Sequence, residues 1–235
     1  MNIWFFVWVV LTVFILGMFF WSAEILFKQK KAWRKLALKL GLSYTPNSLL
    51  KSPRIEGVYN GYSVLLYSEE QPSNDSSRKI FRSVMLIGFQ EGFPTGAALA
   101  SAGRRDFIEA LKVEEVHKPE YKGWNGSVVF HTQDDETLSK FMNEKRYAAL
   151  NKLMNLKDKE TILIFDDKEG YYRMETFDPL TDDGVVLKML DKFTSELEVL
   201  RPTKEDKKLY PKSKPSKSKP RKKSSPTEDT PSEEA

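Results

Sequence analysis

The chain has 235 residues, with 37 Lys and Arg against 33 Asp and Glu, two histidines and no cysteine. The missing cysteine removes thiolate chemistry and Cys/His structural zinc and agrees with a reducing compartment, and two histidines are too few for a His-rich metal cage. The formal charge of +4 conceals a division: residues 1–41 carry six basic and one acidic side chain, 42–200 carry 20 and 26, and 201–235 carry 11 and six. The middle of the chain thus has no basic excess to serve as a nucleic-acid footprint.

From Ile3 to Trp21 no residue is charged. Continued to Phe27, this stretch makes a helix of about 25 residues, roughly 37 Å long, enough to cross a ~30 Å hydrocarbon core with some tilt. It is apolar all round, and Trp4, Trp8, Trp21 and Trp33 stand where interfacial aromatic belts belong. No basic residue precedes it, and Trp21 occupies a small-residue position of the best cleavage site, after Ala23. The stretch is therefore expected to be a retained anchor and not a cleaved signal. Lys28, Lys30, Lys31, Arg34, Lys35 and Lys39 crowd its second flank. The positive-inside rule then puts the N-terminus outside and the rest of the chain in the cytoplasm.

Residues 28–41 read as a basic amphipathic helix closed by Gly41, with Trp33, Leu36, Ala37 and Leu40 at helical spacing. Two readings fit: the six basic residues lie on anionic headgroups, or the apolar stripe packs on the following domain. Residues 42–200 have globular composition and length for one domain. Within them "RIEGVYNGYSVLLYSEE" is a hairpin turning at Asn60-Gly61. After the polar loop "QPSNDSSRK" comes the strand "IFRSVMLIGF". "PTGAALASAGRRDFIEALK" is expected to be a loop that becomes helical from about Arg105 to Lys112. "GSVVFHT" is a short strand, and "DDETLSKFMNEKRYAALNKLM" is one helix or two. "TILIFDDKEGYYRMETF" is a second hairpin turning at Asp167–Gly170, and "TDDGVVLKMLDKFTSELEVL" is a closing amphipathic helix. Strands and helices do not alternate, so the expected class is α+β with an antiparallel sheet.

The order of these segments, with "LALKLGLSY", "PRIEG", "VVFHTQDDETLSKF" and "EKRYAALNKL", resembles uncharacterised bacterial single-pass membrane-anchored proteins over most of residues 30–200. That resemblance implies a small domain of one recurrent type on a membrane stalk, and the location expected is the cell inner membrane. It carries no assigned catalytic residues.

No phosphate-binding loop, nucleophile elbow, dinucleotide fingerprint or His-Glu-x-x-His motif occurs, and no cofactor is expected. The best constellation is "FHTQDDET", in which His131 with Asp134, Asp135 and Glu136 in the following turn forms a candidate acid–base or metal group, His131, Asp134 and Asp135 being its leading members. The plainer reading makes Thr132 or Asp134 a helix cap with carboxylates at the positive end of its dipole. "FDDKEG" fails the EF-hand pattern because Phe165 holds the first ligand position. In "DPLTDDG" an Asp or Thr is expected to cap the last helix.

Residues 201–235 contain six prolines and, as their one aromatic, Tyr210, and are expected to be a disordered tail. Its basic run is Lys212, Lys214, Lys217, Lys219, Arg221, Lys222 and Lys223. That run is a solvated spacer, a contact for anionic lipid, a strap for the acidic domain or a non-specific nucleic-acid tether. The reading favoured as a whole is a membrane-anchored binding or scaffold protein with a protein partner. The alternatives are a tethered hydrolase using His131 with nearby carboxylates, and a nucleic-acid tether acting through the tail.

Overall fold

The structure is a computed structural model describing residues 3–48, 51–72, 79–111, 113 and 115–209. Helix α1 (Ile3–Leu40) is unbroken. Residues 3–22 are exposed along their whole length, and burial begins at Ala23 and is complete at Gln29. Gln29, Ala32, Trp33, Leu36 and Ala37 are buried. Of the two fates open to the amphipathic segment, packing on the domain is the one observed, and no break separates it from the apolar stretch. The helix stops where expected: Gly41 takes φ +67°, and the Leu42 N–H closes back on the Ala37 carbonyl at 2.9 Å.

Nine strands form one sheet: β1 (Ser43–Thr45), β2 (Arg54–Tyr59), β3 (Tyr62–Pro72), β4 (Lys79–Phe89), β5 (Ala97–Ala100), β6 (Glu115–Val116), β7 (Val129–Thr132), β8 (Lys159–Phe165) and β9 (Gly170–Thr176). Their order is β1-β2-β3-β4-β9-β8-β5-β7-β6, and every pair is antiparallel. The α+β expectation with an antiparallel sheet therefore holds. The first hairpin turns at Asn60 (φ 51°) and Gly61 (φ 81°), the pair of positive φ values that the favoured two-residue turn needs. The second turns at Asp166–Glu169, one residue earlier than expected, because the Asp166 carboxylate accepts from the Lys168 and Glu169 N–H groups at 2.8 and 2.9 Å.

The helices are α2 (Arg105–Ala110), preceded by a 3₁₀ turn at Ala102–Arg104, then α3 (Asp135–Phe141), α4 (Glu144–Met154), α5 (Asp183–Leu200) and α6 (Lys204–Leu209). The stretch left as one helix or two is two, because the Asn143 side chain caps α4 by accepting from the Arg146 N–H at 3.0 Å. The side chain of Asp182 caps α5 through the Gly184 and Val185 N–H groups at 2.7 and 3.0 Å. One sheet face is covered by α1, α4 and α5. Trp33, Leu36, Leu150, Leu153, Phe193 and Leu197 meet Leu66, Met85, Ile87, Leu163, Tyr172 and Met174 in one core. On the other face α2 covers a patch in which Ile108 packs on Ala98, Ala100 and Ile162.

Two expectations are corrected. "AALA" is not a loop but β5, with all four residues buried, lying between β8 and β7. Alanine is a poor strand former, but at this place small side chains let Ile108 approach the sheet. The chain also stays on the domain after Leu200. Arg201 pairs with Glu91 and Glu198 at 3.2 and 2.9 Å, and Asp206 in α6 pairs with the buried Arg146 at 2.6 Å. The proline content of 201–235 concealed these six residues. The basic run from Lys212 to Arg221 and Lys223 lies outside the described residues.

Candidate functional site

His131 lies in β7, opposite Ala98 on one side and Val116 on the other. Its Nδ1 meets the Val113 carbonyl at 3.2 Å. Asp134 caps α3, accepting from the Thr137 N–H at 3.0 Å and from the Thr137 hydroxyl at 2.6 Å. These bonds, the hydroxyl's above all, hold its carboxyl below the usual carboxylate range. Asp135 turns the other way and bonds to Nδ1 of His117. The three residues expected to act together thus have separate partners.

The histidine that gains a polar environment is His117, just after β6 and 5% exposed. Its backbone N–H donates to the Phe130 carbonyl at 2.9 Å, which places the ring against Phe130 with centroids 4.7 Å apart. Nδ1 faces Asp135, and Nε2 lies 2.8 Å from the Tyr147 hydroxyl. Tyr121 and Trp124 close around Tyr147. All three groups are satisfied when Nδ1–H donates to Asp135 and the phenol donates to Nε2. Burial, and then the charges of Asp135 and Glu120, push the Tyr147 phenol up to about 12. A phenol held there stays protonated at neutral pH and is no nucleophile. The array is a polar clasp joining the β6 edge to α3 and α4. Little in the chain announces it, because "EEVHKPEY" has no periodicity and no motif.

A second polar group crosses the open sheet face. Glu160 and Glu175 stand directly opposite each other on β8 and β9. Their repulsion is offset by Arg82 from β4 and Arg104 from the 3₁₀ turn, which both reach the two carboxylates. Arg173 adds bonds to Glu175 at 2.7 Å and Glu69 at 2.6 Å. Burial works against the Arg173 charge, but these carboxylates outweigh it and raise its pKa. Only 2% of the Glu175 side chain is exposed. Strand alternation places these charges on one face, yet register was needed to find them.

At the end of the apolar stretch, Lys28 pairs with Glu24 at 2.7 Å, Lys30 donates to the Ser48 carbonyl at 2.8 Å and Lys35 pairs with Asp183 at 2.9 Å. Lys31, Arg34 and Lys39 are exposed. Among the described residues no group of three or more His, Asp or Glu is placed to hold a metal ion.

Fold and junction together define an α+β domain built directly onto one helix long and apolar enough to cross a membrane. No family model and no curated protein matches the chain.

Proposed function

We propose that the protein is a single-pass membrane protein whose domain is held on the cytoplasmic side, where it binds or scaffolds a protein partner. The observation that carries this reading is the α1 junction. The last turn of the apolar stretch is followed at once by Gln29 and Trp33 inside the domain core, so no linker separates span from domain. A platform that presents a surface at fixed height gains orientation from such rigidity. The orientation itself rests on the six basic residues that follow the apolar stretch.

The exit of the tail fits a display role. Asp183 at the start of α5 pairs with Lys35 near the span, and α5 runs 18 residues away from it, about 27 Å. The C-terminal end of α5 thus lies on the side of the domain away from the apolar stretch.

Protease protection tests the proposal. In intact spheroplasts the domain resists added protease and is digested once the membrane is opened. Digestion from outside overturns the orientation, and release of the protein by alkaline carbonate overturns the anchor.

A further inference from the structure

Three contacts fix which end of the sheet lies toward the span. The Gln29 amide donates to the Pro179 carbonyl at 2.7 Å and to the Ser68 hydroxyl at 3.4 Å, and Lys30 reaches Ser48. Register carries that end across the sheet, because Ser68 pairs with Ser83, Ser83 with Thr176, and Thr176 with Lys159. Beside Lys159, the Ser101 N–H donates to the Thr161 carbonyl. A groove of about 640 Å³ opens at this end, with Lys157, Lys159, Ser101, Asn155 and Phe177 among its walls.

The charges of the groove divide cleanly. Arg82 and Arg104 are engaged with Glu160 and Glu175. Lys157 and Lys159 form no ion pair among the described residues, and the one contact between them is a 3.4 Å bond from the Lys159 ammonium to the Lys157 carbonyl. Asp158, the remaining carboxylate at the rim, is exposed; along the walls Arg82, Lys157 and Lys159 match Asp158, Glu160 and Glu175 in number, and Arg104 pairs with the two glutamates from outside the groove. Two phenyl rings stand exposed at the same end. Phe177 is 58% exposed and Phe81 66%, and the Arg82 guanidinium lies 4.3 Å over the Phe177 ring. Phe81 is two residues beyond Ser83 on β4 and, by strand alternation, on the opposite face from Arg82 and outside the groove. Unpaired ammonium groups beside an exposed aromatic ring, at the end of a domain from which a span departs, match a phospholipid at the interface.

We infer that this groove is a headgroup site for an anionic phospholipid, with Lys157 and Lys159 donating to the phosphodiester and Phe177 lying along the upper acyl chain. The inference rests on α1 being a span but not on its orientation, since either leaflet offers headgroups there.

The test titrates the full chain, in neutral detergent, with short-chain phosphatidylglycerol, short-chain phosphatidylcholine and inorganic phosphate, reading affinity by calorimetry. Phosphatidylglycerol binds, and the double substitution Lys157→Gln with Lys159→Gln weakens it by about thirtyfold at an unchanged unfolding midpoint. Phe177→Ser also weakens it, whereas Lys31→Gln with Lys39→Gln, on α1 and outside the groove, does not. The inference is overturned if the groove and α1 substitutions weaken binding equally, if neither does, if phosphatidylcholine binds as well, or if inorganic phosphate competes at the same concentration as the lipid. Release of the protein from membranes by carbonate overturns the anchor reading on which the site depends. An integral protein without lipid selectivity overturns the headgroup site alone.

Discussion

The indole N–H of Trp33 donates to the Leu180 carbonyl at 3.0 Å, joining α1 to the segment between β9 and α5. Trp33 is fully buried, so the second half of α1 belongs to the domain core. Trp33→Ala removes both the bond and a large core side chain, and should destabilise the domain by about 3–5 kcal/mol. Denaturant unfolding in detergent measures this. A chain beginning at Lys28 should fold, while one beginning at Leu42, which would keep the whole of the expected 42–200 domain, should not. A folded, cooperative 42–209 fragment would show that α1 is dispensable to the core.

The two histidines should behave in opposite ways. His117→Ala leaves the Tyr147 hydroxyl without its acceptor inside the aromatic cluster, and an orphaned buried polar group is worth about 1–3 kcal/mol. His131 is half-buried and makes a single 3.2 Å contact to a carbonyl, so His131→Ala should change stability by less than about 1 kcal/mol. Thermal unfolding of both variants checks the contrast. A larger loss at His131 would contradict it.

Much of the architecture was readable where local chemistry decides the outcome. Asn60-Gly61 and Gly41 specify a turn and a helix end through their own backbone preferences and act as expected, and the Asp or Thr expected to cap the last helix is Asp182, acting through its side chain. What escaped depends on residues far apart in the chain. β5 is a strand because β7 and β8 flank it, not because Ala-Ala-Leu-Ala prefers to be one. Asp135 belongs with His117, 18 residues earlier, and not with His131 in its own motif. Residues 201–206 are held by Arg146 and Glu91, which no property of a proline-rich segment announces. The candidate site failed for the same reason: proximity in sequence stood in for proximity in space.

The sheet-face network should respond more strongly to unpairing than to removal. Glu175→Gln deletes a buried charge that Arg104 and Arg173 share, and should destabilise by about 3–5 kcal/mol. Replacing Arg82, Glu160, Arg104 and Glu175 together with apolar residues of similar volume should be far milder than the sum of the single losses. Denaturant midpoints of the single and combined variants distinguish this from four independent surface charges, whose effects would add.

The contact that holds α6 should be acid-labile. Burial raises the Asp206 carboxyl, but its bonds to Arg146 and Thr203 prevail and the folded pKa lies below the ordinary value. A carboxyl with a depressed folded pKa contributes stability above its unfolded pKa of about 3.9, and that contribution disappears as pH falls through the folded value. As pH falls below the unfolded value and on through the lower folded one, α6 should therefore come free, leaving the Arg146 guanidinium, which also donates to the Phe141 carbonyl, without its carboxylate. Hydrogen exchange of the α6 amides checks this, with protection expected at neutral pH and lost in acid before the core opens. Asp206→Asn should abolish the protection at every pH, and α6 amides that stay protected in that variant would show that the helix is held by something other than Arg146.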